Sequence, residues 1–484
     1  MNYKLTVFVV GNFLKYLGLL LLVPAIVALI YREGDFSVFV ITGVITIISG
    51  LLLETITKEA SKYKRINRKE AFLIVLFCWI SACLYGSIPY IIHNVFSNPI
   101  DSIFESVAGF TTTGASVLTD IESLPRGMLF YRCFSQWLGG MGIIVLAIAV
   151  LPKLSIGGMQ LMGLESSGPE TEKITPKISE TAKKLWTLYV GLSIVFMAIL
   201  FICGMPLYDS IVASFSTLAI GGFSIKNASI GAYDSVLIEG FTTFFMFLAG
   251  INFVLLYSLC IKKFSNLKNN TELKAYIVIV ILSIVFVTIN LWGDTYEGFF
   301  ESLRYSSFQV VSILTTTGFS SADSDVWPQS IKILLFSLMF IGGCAGSTAG
   351  SVKVVRIVIL FKKCFRQVKH IIKPLVILPI RLNKKVISDE ILSSVTSFFV
   401  LYVFVFALSV VVLLSIENIS FFGAISACAA ILGNVGPGFG EVGVTQNYYF
   451  LSGKTKIFFC FLMLLGRLEL YTFLVILTPM FWKK

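Results

Sequence analysis

Two stretches of the chain carry the same polar motif, Thr-Thr-Thr-Gly, at residues 111–114 and 315–318. Each follows an apolar segment of about ten to fifteen residues, which is too short to cross a bilayer as a helix. Comparable segments precede AIGGFS at 219–224 and GNVGPGFG at 433–440. Non-helical backbone at membrane depth has free carbonyl groups, so it must be buried in protein or line a watery cavity. Four such stretches around one axis can replace the hydration shell of an alkali cation with carbonyl oxygens.

The residue types in these motifs suit a cation filter. Each motif contains a glycine that can adopt backbone angles closed to other residues. These filter glycines are Gly114, Gly222, Gly318 and Gly436. The threonine hydroxyls of the first and third motifs can satisfy polar groups behind the filter. The short helices before the motifs direct their C-terminal ends, which carry a partial negative charge, toward a central cation.

The composition is that of an integral membrane protein. Of 484 residues, 56% are hydrophobic and only 13% are charged, whereas soluble domains average about 25% charged residues. The nine cysteines and two histidines show no metal-ligand spacing, and we expect no disulfide, resident metal or other cofactor.

The net charge of +11 is distributed as in a multi-pass membrane protein rather than a nucleic-acid-binding one. Basic residues cluster at 58–70, 153–184, 262–274 and 353–385, whereas acidic residues, Asp101 and Glu105 among them, dominate the segments between. This positive-inside pattern places both termini and the basic loops in the cytoplasm. The acidic segments and the four motifs then face outward.

The apolar runs divide the chain into two initial spans and four similar units. In each unit, two long apolar runs enclose one short segment with its motif; the long runs lie at about 71–92 and 127–151, 185–204 and 240–261, 275–293 and 329–350, and 391–415 and 457–482. We therefore predict ten transmembrane helices in an all-α protein. The predicted boundaries are 1–57 for two N-terminal helices, 58–152 for repeat 1, 153–262 for repeat 2, 263–385 for repeat 3 with a basic cytoplasmic segment, and 386–484 for repeat 4. Asp101 and Asp209 are the predicted N-caps of the first two short helices.

Further motifs give the sequence a family resemblance. They are QWLGGMGIIVLA at 136–147, SIGGMQLMG at 155–163, IGGCAGSTAG at 341–350 and LLGRLELYT at 464–472. Together with the four filter motifs, they make essentially the whole chain resemble the TrkH-type potassium transport subunits of the Trk/Ktr/HKT superfamily. That resemblance implies four membrane–pore-loop–membrane repeats in a pseudo-fourfold arrangement.

The resemblance also implies potassium as the transported ion, because all four filter positions are glycine. The implied ligands are backbone carbonyls just before each glycine, those of Thr112, Thr113, Ile220, Gly221, Thr316, Thr317, Asn434 and Val435. The fourth motif departs from the threonine pattern at Asn434 and Pro437, so we do not expect a strictly fourfold filter.

A gate is expected below the filter. Each unit has a glycine in its second long run, namely Gly139, Gly250, Gly342 and Gly466, and the segment 342–351 is especially rich in Gly, Ser and Thr. Close helix packing is one explanation for such small residues, and a mobile constriction is the other. The resemblance assigns an intramembrane gating loop to Gly346, Ser347, Thr348 and Gly350. It also makes Arg467 an electrostatic barrier to cations; the alternative is a structural pair with Glu469.

The basic stretch 353–385 is predicted to be an amphipathic cytoplasmic segment that lies on anionic lipid or docks a partner. The chain has no glycine-rich strand–turn–helix motif for nucleotides. The resemblance implies a homodimer regulated by a cytosolic ring of the TrkA type that binds NAD or ATP.

Two other classes of function compete with a gated potassium pathway. A secondary transporter, such as a symporter, also has broken helices and repeats, but it requires ionisable residues in several spans. A membrane-embedded enzyme acting on lipid requires a catalytic constellation, and none is visible in the cytoplasmic loops. We therefore predict a non-enzymatic, multi-pass potassium uptake protein of the cytoplasmic (inner) membrane.

Overall fold

A computed structural model describes residues 1–62, 67–141, 178–373, 376, 378–383, 385–468 and 470–483. This part of the chain is mostly helical, as predicted. Its one sheet is a small antiparallel hairpin that pairs Arg381 with Val386 and Leu382 with Lys385.

The helices are named in chain order. They are α1 Tyr3–Leu21, α2 Val23–Tyr31, α3 Phe36–Ile56, α4 Arg68–Ile92, α5 Pro99–Phe110, α6 Arg126–Gly140, α7 Ile178–Ile202, α8 Leu207–Ala219, α9 Val236–Ala249, α10 Phe253–Cys260, α11 Phe264–Lys268, α12 Thr271–Leu291, α13 Phe299–Leu314, α14 Gln329–Leu338, α15 Val354–Ile372, α16 Asp389–Ile416, α17 Phe421–Leu432, α18 Gly453–Arg467, α19 Leu470–Leu477 and α20 Pro479–Trp482. The strands are β1 Arg381–Leu382 and β2 Lys385–Val386, and short 3-10 helices lie at Lys58–Lys62, Ser229–Tyr233, Ser324–Val326 and Gly440–Val442.

Six stretches of helix within the described residues are long and apolar enough to cross a membrane. They are Tyr3–Tyr31, Phe36–Ile56, Lys69–Ile92, Glu180–Ile202, Thr271–Leu291 and Asp389–Ile416. The number rises to seven if α9 and α10, which are bent by 106° relative to each other, form one broken span. The predicted total of ten spans stays a prediction.

Three predicted long runs are interrupted rather than continuous. The run at 240–261 breaks between α9 and α10, where the side chain of Asn252 accepts a hydrogen bond from Val254 N and begins a new helix. The run at 329–350 is helical only as far as Leu338, because the glycines that follow are poor helix formers. The run at 457–482 changes helix after Arg467. Hydropathy alone registers none of these breaks, although the Gly, Ser and Thr content of 342–351 predicts the second.

The four short segments are helices, as predicted, and most of their residues are buried in the interior. The predicted N-caps are wrong, however. Helix α5 begins at Pro99, with the side chain of Asn98 as its cap, and α8 begins just after Pro206. Asp101 and Asp209 therefore lie in the first helical turn, because the prolines fix backbone angles suited to earlier starts.

Helices α1 and α3 cross along a seam of glycines. Gly11 and Gly18 on α1 face Gly50 and Gly43 on α3, respectively. A Cβ atom at Gly50 would lie 2.6 Å from the carbonyl oxygen of Gly11, and one at Gly18 would lie 2.9 Å from that of Gly43. Small residues at such crossings let helix backbones approach closely in a bilayer.

We expect Gly50→Val to force α1 and α3 apart, at a cost of about 1–3 kcal/mol. The midpoint of thermal unfolding of the detergent-purified chain should fall accordingly. Gly191→Val is the matched control, because Gly191 also lies in a long helix but no atom of the described residues lies within 4 Å of its Cβ position. Equal midpoints for the two variants would contradict the close crossing.

Candidate functional site

The four filter glycines share one backbone conformation. Their φ angles are 78°, 79°, 80° and 100° for Gly114, Gly222, Gly318 and Gly436. The residue two positions before each glycine is also left-handed: φ is 54° for Thr112, 54° for Ile220, 64° for Thr316 and 54° for Asn434. Non-glycine residues seldom adopt positive φ, so its recurrence at all four places indicates one shared loop geometry despite different sequences.

The glycine loops meet one another in a closed ring. A Cβ atom at any filter glycine would collide with the backbone carbonyl oxygen of the residue just before the next filter glycine. These pairs are Gly114 with Gly221, Gly222 with Thr317, Gly318 with Val435, and Gly436 with Thr113. The contacts run from the first loop to the second, third and fourth and return to the first. The loops therefore surround one axis, with carbonyl groups at each junction.

A second ring of hydrogen bonds joins the segments that follow the filter glycines. Its links are Asn227 Nδ2 to Asp120 Oδ1 at 2.9 Å, Gly231 N to Ser320 O at 3.1 Å, Gly440 N to Asp325 Oδ1 at 3.1 Å, and Tyr448 N to Ser116 O at 2.9 Å. A cavity of about 140 Å³, lined by Gly114, Gly222, Gly318 and Pro437 among others, lies between these segments.

Two carboxylates in the segments that this second ring of hydrogen bonds joins have shifted pKa values. Hydrogen bonds from the backbone of Asn227 and from Lys226 hold the pKa of Glu122 below its usual value. Burial raises the pKa of Asp325, against a hydrogen bond from Gly440 N that lowers it. These hydrogen bonds thus keep Glu122 ionised, with its Oε2 3.1 Å from Lys226 Nζ.

Hydroxyl pairs support the first and third loops in the same way. Thr111 Oγ1 lies 2.7 Å from Thr113 Oγ1 and donates to the carbonyl of Val107. In the third loop, Thr315 Oγ1 lies 2.7 Å from Thr317 Oγ1 and also donates to the carbonyl four residues earlier. The threonines thus satisfy the end of each short helix and brace the loop from behind, as expected from the sequence.

The fourth loop is supported by different groups. Asn434 Nδ2 donates to Thr113 Oγ1 at 2.8 Å and to the carbonyl of Met463 at 3.0 Å. Tyr448 donates from its hydroxyl to the carbonyl of Gly436 at 2.8 Å. The side-chain surroundings are therefore unequal among the loops, although the four backbones are similar.

A fully buried ion pair joins the first and second loops. Arg132 donates to Glu105 Oε1 from Nε at 3.0 Å and from Nη2 at 2.7 Å, and both side chains are wholly enclosed. Glu105 also accepts hydrogen bonds from Ser116 Oγ and Val117 N of the first loop. Arg132 Nη1 donates to the carbonyl of Ser224, in the second loop, at 3.0 Å.

Sequence reasoning missed this pair. Glu105 was counted among outward-facing acidic residues, and Asp101 likewise, but Asp101 is buried in an ion pair with Lys456 at 2.6 Å. The available signal was position: Glu105 and Arg132 both occur within segments assigned to the membrane interior, where charges are rare and need partners.

We expect Arg132→Met to destabilise the chain by roughly 3–5 kcal/mol, because it leaves a buried carboxylate without its partner. The double variant Arg132→Met with Glu105→Gln should recover part of this loss, since no charge then remains unpaired. Thermal unfolding in detergent measures both. A single variant as stable as the unaltered protein would show that the pair contributes little.

The non-helical residues 339–353, between α14 and α15, form a Gly-rich loop that lies against the filter loops. Gly350 N donates to Thr316 Oγ1 at 2.8 Å, and Thr348 Oγ1 donates to the carbonyl of Leu218, near the end of α8, at 3.2 Å. A Cβ atom at Gly350 would collide with the carbonyl of Gly433. Gly346 and Ser347 lie farther from the filter: Gly346 O accepts from Phe253 N, and Ser347 Oγ donates to the carbonyl of Cys344.

Arg467 bridges this Gly-rich loop to the first unit. Its Nη1 donates to the carbonyl of Thr348 at 2.8 Å, and its Nη2 donates to the carbonyl of Gly139 at 2.8 Å and that of Gly140 at 3.3 Å. The structure thus brings the predicted gate residues Thr348, Gly350 and Arg467 together. The alternative partner, Glu469, lies outside the described residues.

These features define a class of protein: a multi-pass helical membrane protein in which four glycine loops encircle one axis above a Gly-rich loop. The TrkH family, described as cation transport proteins, matches residues 36–484 of the chain. The chain belongs to this family, which confirms the resemblance seen in the sequence.

Similar proteins are related over their full lengths. The Trk system potassium uptake protein TrkH of Escherichia coli (strain K12) is 38% identical over 490 residues, covering 100% of both chains. The protein of the same description from Halomonas elongata is 36% identical over 487 residues, again covering 100% of both. The crystal structure of the potassium transporter TrkH from Vibrio parahaemolyticus matches 100% of both chains with a TM-score of 0.89 and 35% identity.

Proposed function

We propose that this chain takes potassium up across the cytoplasmic membrane, along the axis enclosed by the four glycine loops. The observation that carries the proposal is the closed ring, in which each filter glycine abuts a carbonyl of the next loop. Such a ring supplies backbone oxygens from four directions, the chemistry that replaces water around an alkali cation. The potassium uptake relatives, at 38% and 36% identity, favour potassium as the ion.

The proposed ligands are backbone carbonyls of the two residues before each glycine. They belong to Thr112, Thr113, Ile220, Gly221, Thr316, Thr317, Asn434 and Val435. The shared left-handed φ angles support this assignment, because they indicate that the four loop backbones follow the same path through the ring. We assign the four units, with their sequence boundaries, to a pseudo-fourfold arrangement around the ion, with ten spans in all.

In this proposal, both termini and the first basic loop lie on the cytoplasmic side of the membrane. Lys69 Nζ donates to the carbonyl of Lys483 at 2.7 Å, and Lys4 pairs with Glu59 at 3.4 Å. These contacts bring together the start and end of the chain and the basic stretch 58–70, as the positive-inside pattern requires.

The axis is closed, in this proposal, by the Gly-rich loop and Arg467. The loop touches the second loop's helix, the third loop and the fourth loop, while Arg467 ties it to Gly139 and Gly140. A guanidinium at this place repels cations in the path. Opening requires the Arg467 contacts to the loop to break.

Helix α15 is the proposed contact with anionic lipid or with a cytosolic nucleotide-binding ring that regulates the gate. Its exposed apolar side chains include Phe361, Phe365 and Ile372, which share one face of the helix. Its basic residues lie on the face next to these apolar side chains. A homodimer is part of the same proposal, and the mass of the purified complex in detergent tests it.

We expect Gly114→Ser to lower discrimination between potassium and sodium by about tenfold or more, because a side chain there collides with the carbonyl of Gly221 and distorts the ring. Cation flux into cells that lack their own potassium uptake but contain the cytosolic nucleotide-binding partner measures the effect. Gly204→Ser is the matched control: Gly204 has a φ of 94°, but in the part of the chain that the structure describes no atom lies within 4 Å of its Cβ position. Equal discrimination by both variants, or no potassium flux in the unaltered chain, would rule out the proposed filter.

We expect Arg467→Ala to conduct potassium in cells that lack the nucleotide-binding partner, where the unaltered chain stays closed. The reason is that removal of the guanidinium frees the carbonyl of Thr348 and removes the barrier charge. Potassium efflux into potassium-free medium measures the leak, which we expect to rise severalfold. Arg304→Ala is a control, because Arg304 pairs with Glu239 away from the Gly-rich loop. Efflux unchanged by Arg467→Ala would contradict the gating role.

A further inference from the structure

The second glycine loop lacks the hydroxyl pair that braces the first and third loops. At the positions that correspond to Thr111 and Thr113, the second loop has Ala219 and Gly221. Neither residue offers a side-chain hydrogen bond, so the backbone around Gly222 needs support from elsewhere in the chain.

That support comes from Gln136, on helix α6 of the first unit. Its side chain is completely buried. Nε2 donates to the carbonyl of Gly221 at 2.6 Å, and Oε1 accepts from Phe223 N at 3.0 Å. The two bonds bracket Gly222 on either side. Because one partner accepts and the other donates, they also determine which way the amide is turned.

We propose that Gln136 is a positioning residue for ion selectivity, which holds the second loop as the threonine pairs hold the first and third. The inference rests on the proposed potassium filter and adds a side chain from outside the four motifs. A carbonyl oxygen has two lone pairs. The Gly221 carbonyl can therefore accept from Gln136 and still turn toward an ion.

Gly221 and Gln136 are matched to each other. A Cβ atom at Gly221 would collide with the side-chain amide of Gln136. Gly221 does not have a positive φ, unlike the neighbouring Gly222. The backbone therefore permits a larger residue at 221, and the space taken by Gln136 is what requires glycine there.

Other side chains of α6 contact the same loop. Arg132 Nη1 donates to the carbonyl of Ser224 at 3.0 Å, and Cys133 Sγ lies 3.5 Å from that of Phe223. Helix α6 thus bonds to the loop residues on both sides of Gly222, and Gln136 makes the contacts nearest to the glycine.

The test compares potassium and sodium uptake through full-length variants in cells that lack their own potassium uptake but contain the cytosolic nucleotide-binding partner. Gln136→Met keeps the length of the side chain and loses both hydrogen bonds, so we expect roughly tenfold weaker discrimination for potassium and a higher KM for potassium. Gln136→Glu keeps the acceptor and, when ionised, loses the donor, so it should also discriminate poorly. Asn12→Leu is the control: it removes a buried amide of α1 that, within the described residues, bonds to the carbonyl of Phe8 in its own helix, and it should leave discrimination unchanged.

A compensating pair separates positioning from general damage. Gly221→Thr alone should disrupt selective uptake, because it collides with Gln136. Combined with Gln136→Ala, the threonine fills the vacated space with a hydroxyl, and we expect potassium discrimination to recover at least in part. Recovery cannot be explained by a loss of folding in either single variant.

The outcomes distinguish this inference from the proposed function. If the unaltered chain is potassium-selective but Gln136→Met discriminates equally well, only the role of Gln136 is overturned. If Gln136→Met does not reach the membrane, a double variant no better than Gly221→Thr alone overturns it as well. If the unaltered chain carries no potassium, the filter and this inference fall together.

Discussion

Where a helix ends inside a membrane, the backbone carbonyl and amide groups beyond its end must find hydrogen-bond partners within the protein. The rest of the structure depends on this requirement. Four short helices end in the interior of the described chain. Each is followed by a stretch of backbone whose polar groups have no partners in a regular helix or sheet. The chain meets the requirement by placing the four stretches against one another. The contact of each filter glycine with the next loop's carbonyl is therefore both the closure of the fold and the origin of a site rich in oxygen.

Similar backbones are supported by dissimilar side chains. Threonine pairs brace the first and third loops from within, Asn434 and Tyr448 brace the fourth, and Gln136 reaches the second from another unit. The conformation of the backbone is thus the shared feature, with φ positive at each glycine and two residues before it. In the proposed filter, a cation would therefore meet a nearly regular ring of carbonyl groups, although the side chains behind that ring differ from loop to loop.

Sequence reasoning recovered what depends on local composition. The membrane class and the short helices follow from apolar runs, and the shared left-handed conformation of the four loop glycines follows from their backbone freedom. Their role in a filter stays a prediction. It failed where tertiary contacts decide. Glu105 was assigned to the outside because its charge was counted without the buried Arg132 that neutralises it. The break at Asn252 was missed because hydropathy averages over a residue whose side chain starts a new helix. Gln136 was quoted within a motif, but its partners lie more than eighty residues away.

The filter and the Gly-rich loop below it are not independent parts. Gly350 N donates to the hydroxyl of Thr316, which is itself one of the left-handed residues of the third loop. Thr348 is held between Leu218 O and Arg467. If the loop moves aside to let an ion pass, the hydroxyl of Thr316 and the carbonyl of Leu218 each lose a partner, and buried polar groups left unpaired are costly. Water that enters with the ion can replace those bonds. We infer that hydration of the path below the proposed filter stabilises an open state, whereas a dry path favours the arrangement of the loop described above.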